Sequence, residues 1–180
     1  MTTSAEVLSF WFEEISPSQW WAKDEAFDRQ IAGRFAAVHS AALRGELHGW
    51  RDGGEGRLAE IIVLDQFSRN IFRGRPEAFA ADGMALVLAQ EAVARGLDEL
   101  LDVSRRAFLY LPYMHSESRL IHRQAVRLFA AAGLEDNLRF EMQHRAIIER
   151  FGRYPHRNAI LGRPSTPEEI EFLKRPGSSF

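Results

Sequence analysis

The chain has 180 residues, of which 46% are hydrophobic and 27% charged, a balance too apolar for disorder and a length that favours one domain over residues 1–180. Its formal net charge is −2, so no global field draws it to nucleic acid or to an anionic membrane. It contains no cysteine, which excludes disulfides, thiolate metal sites and Cys nucleophiles.

The apolar pattern is helical almost throughout. A first helix is predicted from about Ala5 to Glu14, ended by Ser16-Pro17. Asp24 can cap a long second helix, whose stripe of Phe27, Ile31, Phe35, Val38 and Ala42 fits the 3.6-residue period. Gly45 to Gly56 reads as a polar loop, and a third helix starts near Arg57 with Leu58, Ile61 and Ile62. A fourth opens at Asp82 or at Pro76-Glu77 and stops at Gly96-Leu97, the Schellman pattern of a glycine followed by an apolar residue. Ser104 can cap a fifth, interrupted at Pro112, and Ser116 a sixth that ends at Gly133. A seventh runs from about Asp136 to Phe151, stopped by Gly152. Thr166-Pro167-Glu168-Glu169 is a capping box that opens a short last helix with Ile170, Phe172 and Leu173.

No segment alternates long enough to read as a strand, and no linker divides the chain. About eight helices on short connections are expected to pack as stacked antiparallel hairpins, an all-α fold. No basic stretch precedes an apolar run at the N-terminus, and no apolar run approaches the roughly 20 residues of a membrane span. A cytoplasmic protein that touches neither membrane nor nucleic acid is therefore expected.

Three segments concentrate polar chemistry. In Leu64-Asp65-Gln66-Phe67-Ser68-Arg69-Asn70, the helical wheel puts Asp65 and Arg69 on the face of Leu58, Ile61 and Ile62. Their i, i+4 spacing allows an ion pair that Gln66 and Asn70 can complete. Arg69 can equally present its guanidinium to an anionic ligand, with Asp65 orienting it. In Tyr113-Met114-His115-Ser116-Glu117, the wheel sets Glu117 on the apolar side of the new helix, where a carboxylate needs a partner. His115 can be that partner, a general base or a ligand. Neither His-Glu-x-x-His nor Gly-x-Ser-x-Gly is present, so no metal is expected and Ser116 reads as a cap rather than a nucleophile.

The third segment is the densest. Residues 143 to 163 hold five Arg and two His against one acid, Glu149. His144 falls among Phe140, Ile147, Ile148 and Phe151 and faces the core. Arg145, with Glu141 and Glu149 four residues away on either side, reads as a solvated ladder. Arg153, His156 and Arg157 share a Pro-containing turn suited to carboxylates or phosphates, and part of this charge can also offset the helix dipole. The pair Arg157-Asn158 repeats the Arg69-Asn70 of the first segment, an echo too short to establish duplication.

Taken with Val7-Leu8-Ser9-Phe10-Trp11-Phe12 and Trp21-Ala22-Lys23-Asp24, these segments resemble the signatures of the bacterial "domain of unknown function nine-two-four" family over essentially the whole chain. Those running from Leu64 to Gly74, from Leu111 to Glu117 and from Arg150 to Glu169 carry the resemblance. It implies a tetratricopeptide-like stack of helical hairpins, normally cytoplasmic, and no particular activity. Ser68 stands where the family usually has Pro, and Tyr113 at a variable apolar position.

The residues together suggest one pocket for an anionic small molecule or a carboxylate-bearing peptide. Asp65, Arg69, Asn70, Arg153, His156, Arg157 and Asn158 would hold the ligand, and no cofactor is expected. Two alternatives stay open. One is a hydrolase using His115, Glu117 and His144 for acid–base chemistry, with or without a metal's help. The other is a tetratricopeptide-like interaction module whose polar motifs are structural. Oligomeric state is not encoded in any of these features.

Overall fold

The computed structural model describes residues 2–131 and 133–179, and among them every regular element is helical. The chain forms two compact units, Met1–Arg73 with Glu77–Pro112, and Gly74–Pro76 with Tyr113–Phe180.

In the first unit, α1 (Ser4–Ser9) is opened by Thr3 and Glu6, each side chain accepting from the other's backbone N–H. It runs on as a wider π-helical turn over Phe10–Glu14. The expected helix is present, but its second half is not α. Helix α2 (Glu25–Leu43) starts where Asp24 accepts from the N–H groups of Ala26 and Phe27 at 2.7 and 3.3 Å. All five residues of its stripe are buried. Helix α3 (Gly54–Ile61) begins three residues earlier than the Gly-rich sequence suggests. A Cβ on Gly54 would stand 2.7 Å from the Leu97 carbonyl oxygen, and one on Gly56 only 1.9 Å from that of Trp50. These glycines serve close backbone approach rather than loop freedom.

The third helix also widens, into a fully buried π-helical run Ile62–Phe67, before closing as α4 (Ser68–Ile71). Phe10, Phe35 and Phe67 meet with ring centroids 4.7 to 6.1 Å apart, and Trp11 joins at 5.6 Å from Phe67. Helix α5 (Asp82–Ala94) starts at Asp82, and Pro76–Phe79 is a separate 3₁₀ turn. It ends as expected: Gly96 has φ +66°, and the N–H groups of Gly96 and Leu97 reach the Val93 and Ala92 carbonyls.

Helix α6 (Val103–Met114) departs from expectation at both ends. Asp102, not Ser104, caps it, accepting from the Arg105 N–H at 2.9 Å. Pro112 does not interrupt it but sits inside the last turn.

In the second unit α7 (Arg119–Phe129) and α8 (Glu135–Phe151) form an antiparallel hairpin, since Arg119 meets Ile148 and Glu149 while His122 meets Glu141. Ser116 is not the cap of α7. It lies in the preceding turn, where its Oγ accepts from the Ser118 N–H, and Ser118 holds the N-cap position. Gly152, with φ +71°, ends α8. Thr166 and Glu169 form the expected capping box on α9 (Pro167–Leu173). Ile147, Ile148 and Tyr154 are the buried apolar centre, with Phe151 and Phe172 against them.

Candidate functional site

In the first unit Asp65, in the π-helical run that continues α3, lies on the apolar face as the wheel predicts and is 1% exposed. The Arg69 guanidinium lies 3.1 Å from its carboxylate, donates to its backbone carbonyl at 2.6 Å and reaches Asp82 at 3.0 Å. Gln66 donates to the other Asp65 oxygen at 2.5 Å. Asn70 points elsewhere, donating to Asp28 at 2.8 Å, and Arg73 grips the same carboxylate with two N–H groups. Burial pushes Asp28 up, but Arg73 and Asn70 outweigh it and hold the carboxyl below its ordinary value. Nearby, Ser68 Oγ donates to the Leu64 carbonyl at 2.5 Å and lies 2.8 Å from His39 Nε2. With the hydroxyl proton committed, His39 must be the donor, so this Ser–His contact is a structural bridge.

In the second unit the carrier of the turn is Glu117. It does not lie on the apolar face of a helix; it precedes α7. Its carboxylate accepts from the Tyr154 N–H at 2.7 Å and from two nitrogens of Arg163 at 2.6 and 2.9 Å. Burial raises its pKa, and Arg163 with the Tyr154 N–H more than reverses this, so Glu117 is ionised at neutral pH. Arg163 also donates to Asn158 Oδ1 and the Tyr154 carbonyl. Asn158 passes its amide hydrogens to Ser165 and Glu169.

Glu169 is 2% exposed and takes both Nε and Nη2 of Arg153 at 2.7 and 2.8 Å. Arg153, opposed by burial and helped by the Thr166 N–H, brings this carboxyl down to about 2. Arg153 donates again to the Pro164 carbonyl. A bidentate clamp of this kind fixes geometry as well as charge.

Around Tyr154 stand Arg157 and a set of imidazoles. The buried Arg157 guanidinium lies 4.6 Å from the centroid of the Tyr154 ring and donates to the His115 carbonyl at 3.1 Å. The rings of His144 and His156 are 5.8 and 5.5 Å from Tyr154. His144 is buried as expected, with Nδ1 2.8 Å from the Phe140 carbonyl, so Nδ1 carries the proton. Phe140, by contrast, is largely exposed. Burial above all, with His115, His122 and His156 close by, pushes His144 down to about 3, too weak a base for neutral-pH proton abstraction.

The structure thus gathers His115, Glu117, His144, Arg153, His156, Arg157 and Asn158 in the second unit, while Asp65, Arg69 and Asn70 belong to the first. Sequence reasoning missed the acids and the histidine that complete these clusters. Glu141 is wholly buried rather than part of a solvated ladder, and its Oε1 lies 2.7 Å from Nδ1 of the equally buried His122. The spacing held the signal: Glu141, His144 and Ile148 recur at i, i+3, i+7, a core face, whereas Arg145 at i+4 drew Glu141 to the wrong side. Asp28, Asp82, Arg163 and Glu169 pair with residues far off in sequence, which no local pattern marks. Among the described residues no group of three or more His, Asp or Glu is placed to hold a metal ion, and no helix is long and apolar enough to cross a membrane.

Fold and polar clusters together define an all-helical protein whose arginines are clamped by its own carboxylates. Residues 7–177 match the family described as "Bacterial protein of unknown function (DUF924)", and the chain belongs to that family. It is similar to the solved structure of the protein of unknown function ATU0120 from Agrobacterium tumefaciens. The two share 43% sequence identity at a TM-score of 0.90, over 95% of this chain and 96% of that one. No curated protein matches the chain.

Proposed function

We propose that this chain is a protein-interaction domain of the bacterial cytoplasm, tetratricopeptide-like and folding as one domain, in which the Arg, His and Asn motifs are internal braces. One observation carries this reading. The guanidinium groups that a ligand would need at Arg69 and Arg153 are already held by Asp65, Asp82 and Glu169 and by backbone carbonyls. An incoming anion would have to displace a buried carboxylate, leaving that charge without its partner, a cost of several kcal/mol (roughly 3–5).

The partner face we assign is aromatic. Trp21 is 62% exposed and stacks on the buried Phe108, their rings 8° from parallel, with Trp20 4.9 Å from Phe108 and Phe12 5.5 Å. Arg105 lies over Phe12 at 5.3 Å. A tryptophan held in place by other rings loses little entropy on binding, and Trp and Arg dominate interface hot spots.

The experiment is a peptide-library selection on the full chain, counter-selected against Trp21→Ala, beside a thermal-shift screen with anionic metabolites, nucleotides, carboxy-terminal peptides and divalent metals. Selected peptides should lose about tenfold or more in affinity on Trp21→Ala, as a hot spot does, with the melting temperature kept. The competing reading, an anionic ligand, draws on Arg157, which lies over Tyr154 among three imidazoles. An anion that raises the melting temperature of the wild type and not of Arg157→Ala would replace the interaction reading with that one.

A further inference from the structure

His122 projects from α7 and Glu141 from α8, and both side chains are fully enclosed. Their contact, Nδ1 to Oε1, is 2.7 Å. On the far side of the imidazole, Nε2 lies 2.8 Å from the Ser116 carbonyl oxygen and 3.3 Å from Tyr154 Oη. Tyr154 spends its own proton on the Met114 carbonyl at 2.5 Å. A carbonyl cannot donate and the Tyr154 proton is committed, so Nε2 carries a hydrogen. A bare carboxylate oxygen and an imidazole lone pair are both acceptors and would repel at 2.7 Å. One proton therefore lies between Nδ1 and Oε1. Imidazolium with carboxylate, or imidazole with carboxylic acid, contain the same protons and are both neutral overall.

The surroundings favour keeping that proton. Glu141 Oε2 is buried with no hydrogen-bond partner among the described residues, so a full negative charge there is poorly solvated. Burial pushes the Glu141 carboxyl up, with the His122 contact and Arg145 opposing. Glu117, the acid of the turn before α7, is held by Arg163; His144, His156 and Arg157 also pack around Tyr154, and His115 lies close to His144.

We propose that His122 and Glu141 form a one-proton latch, which fastens α7, α8, the turn at Ser116 and Tyr154 together while a single proton sits between Nδ1 and Oε1, and which alkaline conditions release. On release the proton goes to solvent, leaving a neutral imidazole and a carboxylate that must part. In the unfolded chain a histidine gives up its proton near its ordinary value of about 6.5. Above that pH the folded protein holds one proton more than the unfolded, so this contribution is full between about 4.5, the ordinary value of the carboxyl, and about 6.5, and is lost as pH rises. His39 and His144, both pushed down by burial, are neutral in folded and unfolded chains alike above about pH 7.5. Glu117 and Glu169 are ionised in both states there, and the remaining imidazoles, His48, His115 and His156, are shared by wild type and Glu141→Gln, so the difference between the two reports the pair.

The test uses the full chain. Folding equilibrium constants from urea titrations between about pH 7.5 and 9 should fall by up to tenfold per pH unit until the pair releases its proton. Calorimetry in buffers of different ionisation enthalpy should detect uptake of close to one proton on folding at about pH 8. In Glu141→Gln the amide N–H donates to a neutral His122, no extra proton is held, and the constant should be flat over the window. A wild-type constant that is flat, with no proton taken up, overturns the latch; so does a Glu141→Gln variant that keeps the wild-type slope. Should that variant fail to fold, the proton uptake of the wild type decides alone.

Discussion

Replacing Glu169 with Gln tests whether the Arg-carboxylate clamps hold the second unit together. The carboxylate receives two N–H groups from Arg153, the Thr166 N–H and the Asn158 amide. A fall from its ordinary 4.5 to about 2 corresponds to about 3 kcal/mol of preference for the ionised form. The Arg153 side chain is 28% exposed, so solvent screens part of this, and about 2 kcal/mol is the expected loss in Glu169→Gln. For a chain of this length that lowers the melting temperature by roughly 4–8 °C.

The sign with pH follows from the depressed value. The stabilisation is complete above about 4.5 and is lost as pH falls through about 2. Urea titrations at neutral pH and at about pH 3 should therefore show a gap between wild type and variant that narrows on acidification. A variant within about 0.5 kcal/mol of wild type at pH 7, the range of ordinary surface substitutions, would refute the clamp and with it the brace reading.

Other perturbations separate the remaining terms. His144 must be neutral in the fold but protonates near 6.5 when unfolded, so stability should drop by up to about 1.4 kcal/mol per pH unit from about pH 6.5 towards 3. His144→Phe should remove that share of the acid sensitivity, read as the difference in melting temperature between about pH 7 and 5. Gly33 lies inside α2 with nothing within 4 Å of an added Cβ, and Gly33→Ala should raise stability by about 0.5–1 kcal/mol in urea. Gly56→Ala, whose Cβ would meet the Trp50 carbonyl at 1.9 Å, should cost about 2 kcal/mol or more. Asp24→Ala should cost about 1 kcal/mol through its lost cap, measured in the same way.

Features that sequence made legible are the ones written in a single turn or two of chain. The Asp24 cap, the Gly96-Leu97 ending and the Thr166 capping box each depend on residues within five positions of one another, and the stripe from Phe27 to Ala42 on steps of three or four. Each was readable because helix ends and faces obey local chemistry. Ser116 and Ser104 mislead for the same reason in reverse. Either can cap a helix, but Ser118 and Asp102 take the places once the turn before α7 and the start of α6 are set by packing. The π-helical turns at Phe10–Glu14 and Ile62–Phe67 leave no mark in composition, because the residues are ordinary core formers. Asp65 lies on the apolar face and next to Arg69, so its burial could be suspected from the wheel, whereas the second carboxylate on Arg69, that of Asp82, could not.

The Arg-rich stretch from 143 to 163 poses the sharper question, whether a surplus of cations in sequence is a surplus in space. Apart from Glu149, which pairs with Arg145, its carboxylate partners come from outside it: Glu168 lies 18 residues from Arg150, Glu169 16 from Arg153 and Glu117 46 from Arg163. Read in a window, the stretch looks built for a foreign anion. In the fold, most of the anions it meets are its own, drawn from the turn before α7 and the first turn of α9. Acids in that first turn also favour the positive end of the helix, so Glu168 and Glu169 are stabilised where the arginines need them. Four separate segments, the ends of α7, α8 and α9 and the loop from Arg153 to Ser165, are thereby tied through a few planar guanidinium groups. Lysine, a flexible point charge, could not make those bidentate ties. This gives the near-exclusive use of Arg over Lys in this chain a structural reason at these positions, whatever sets it elsewhere.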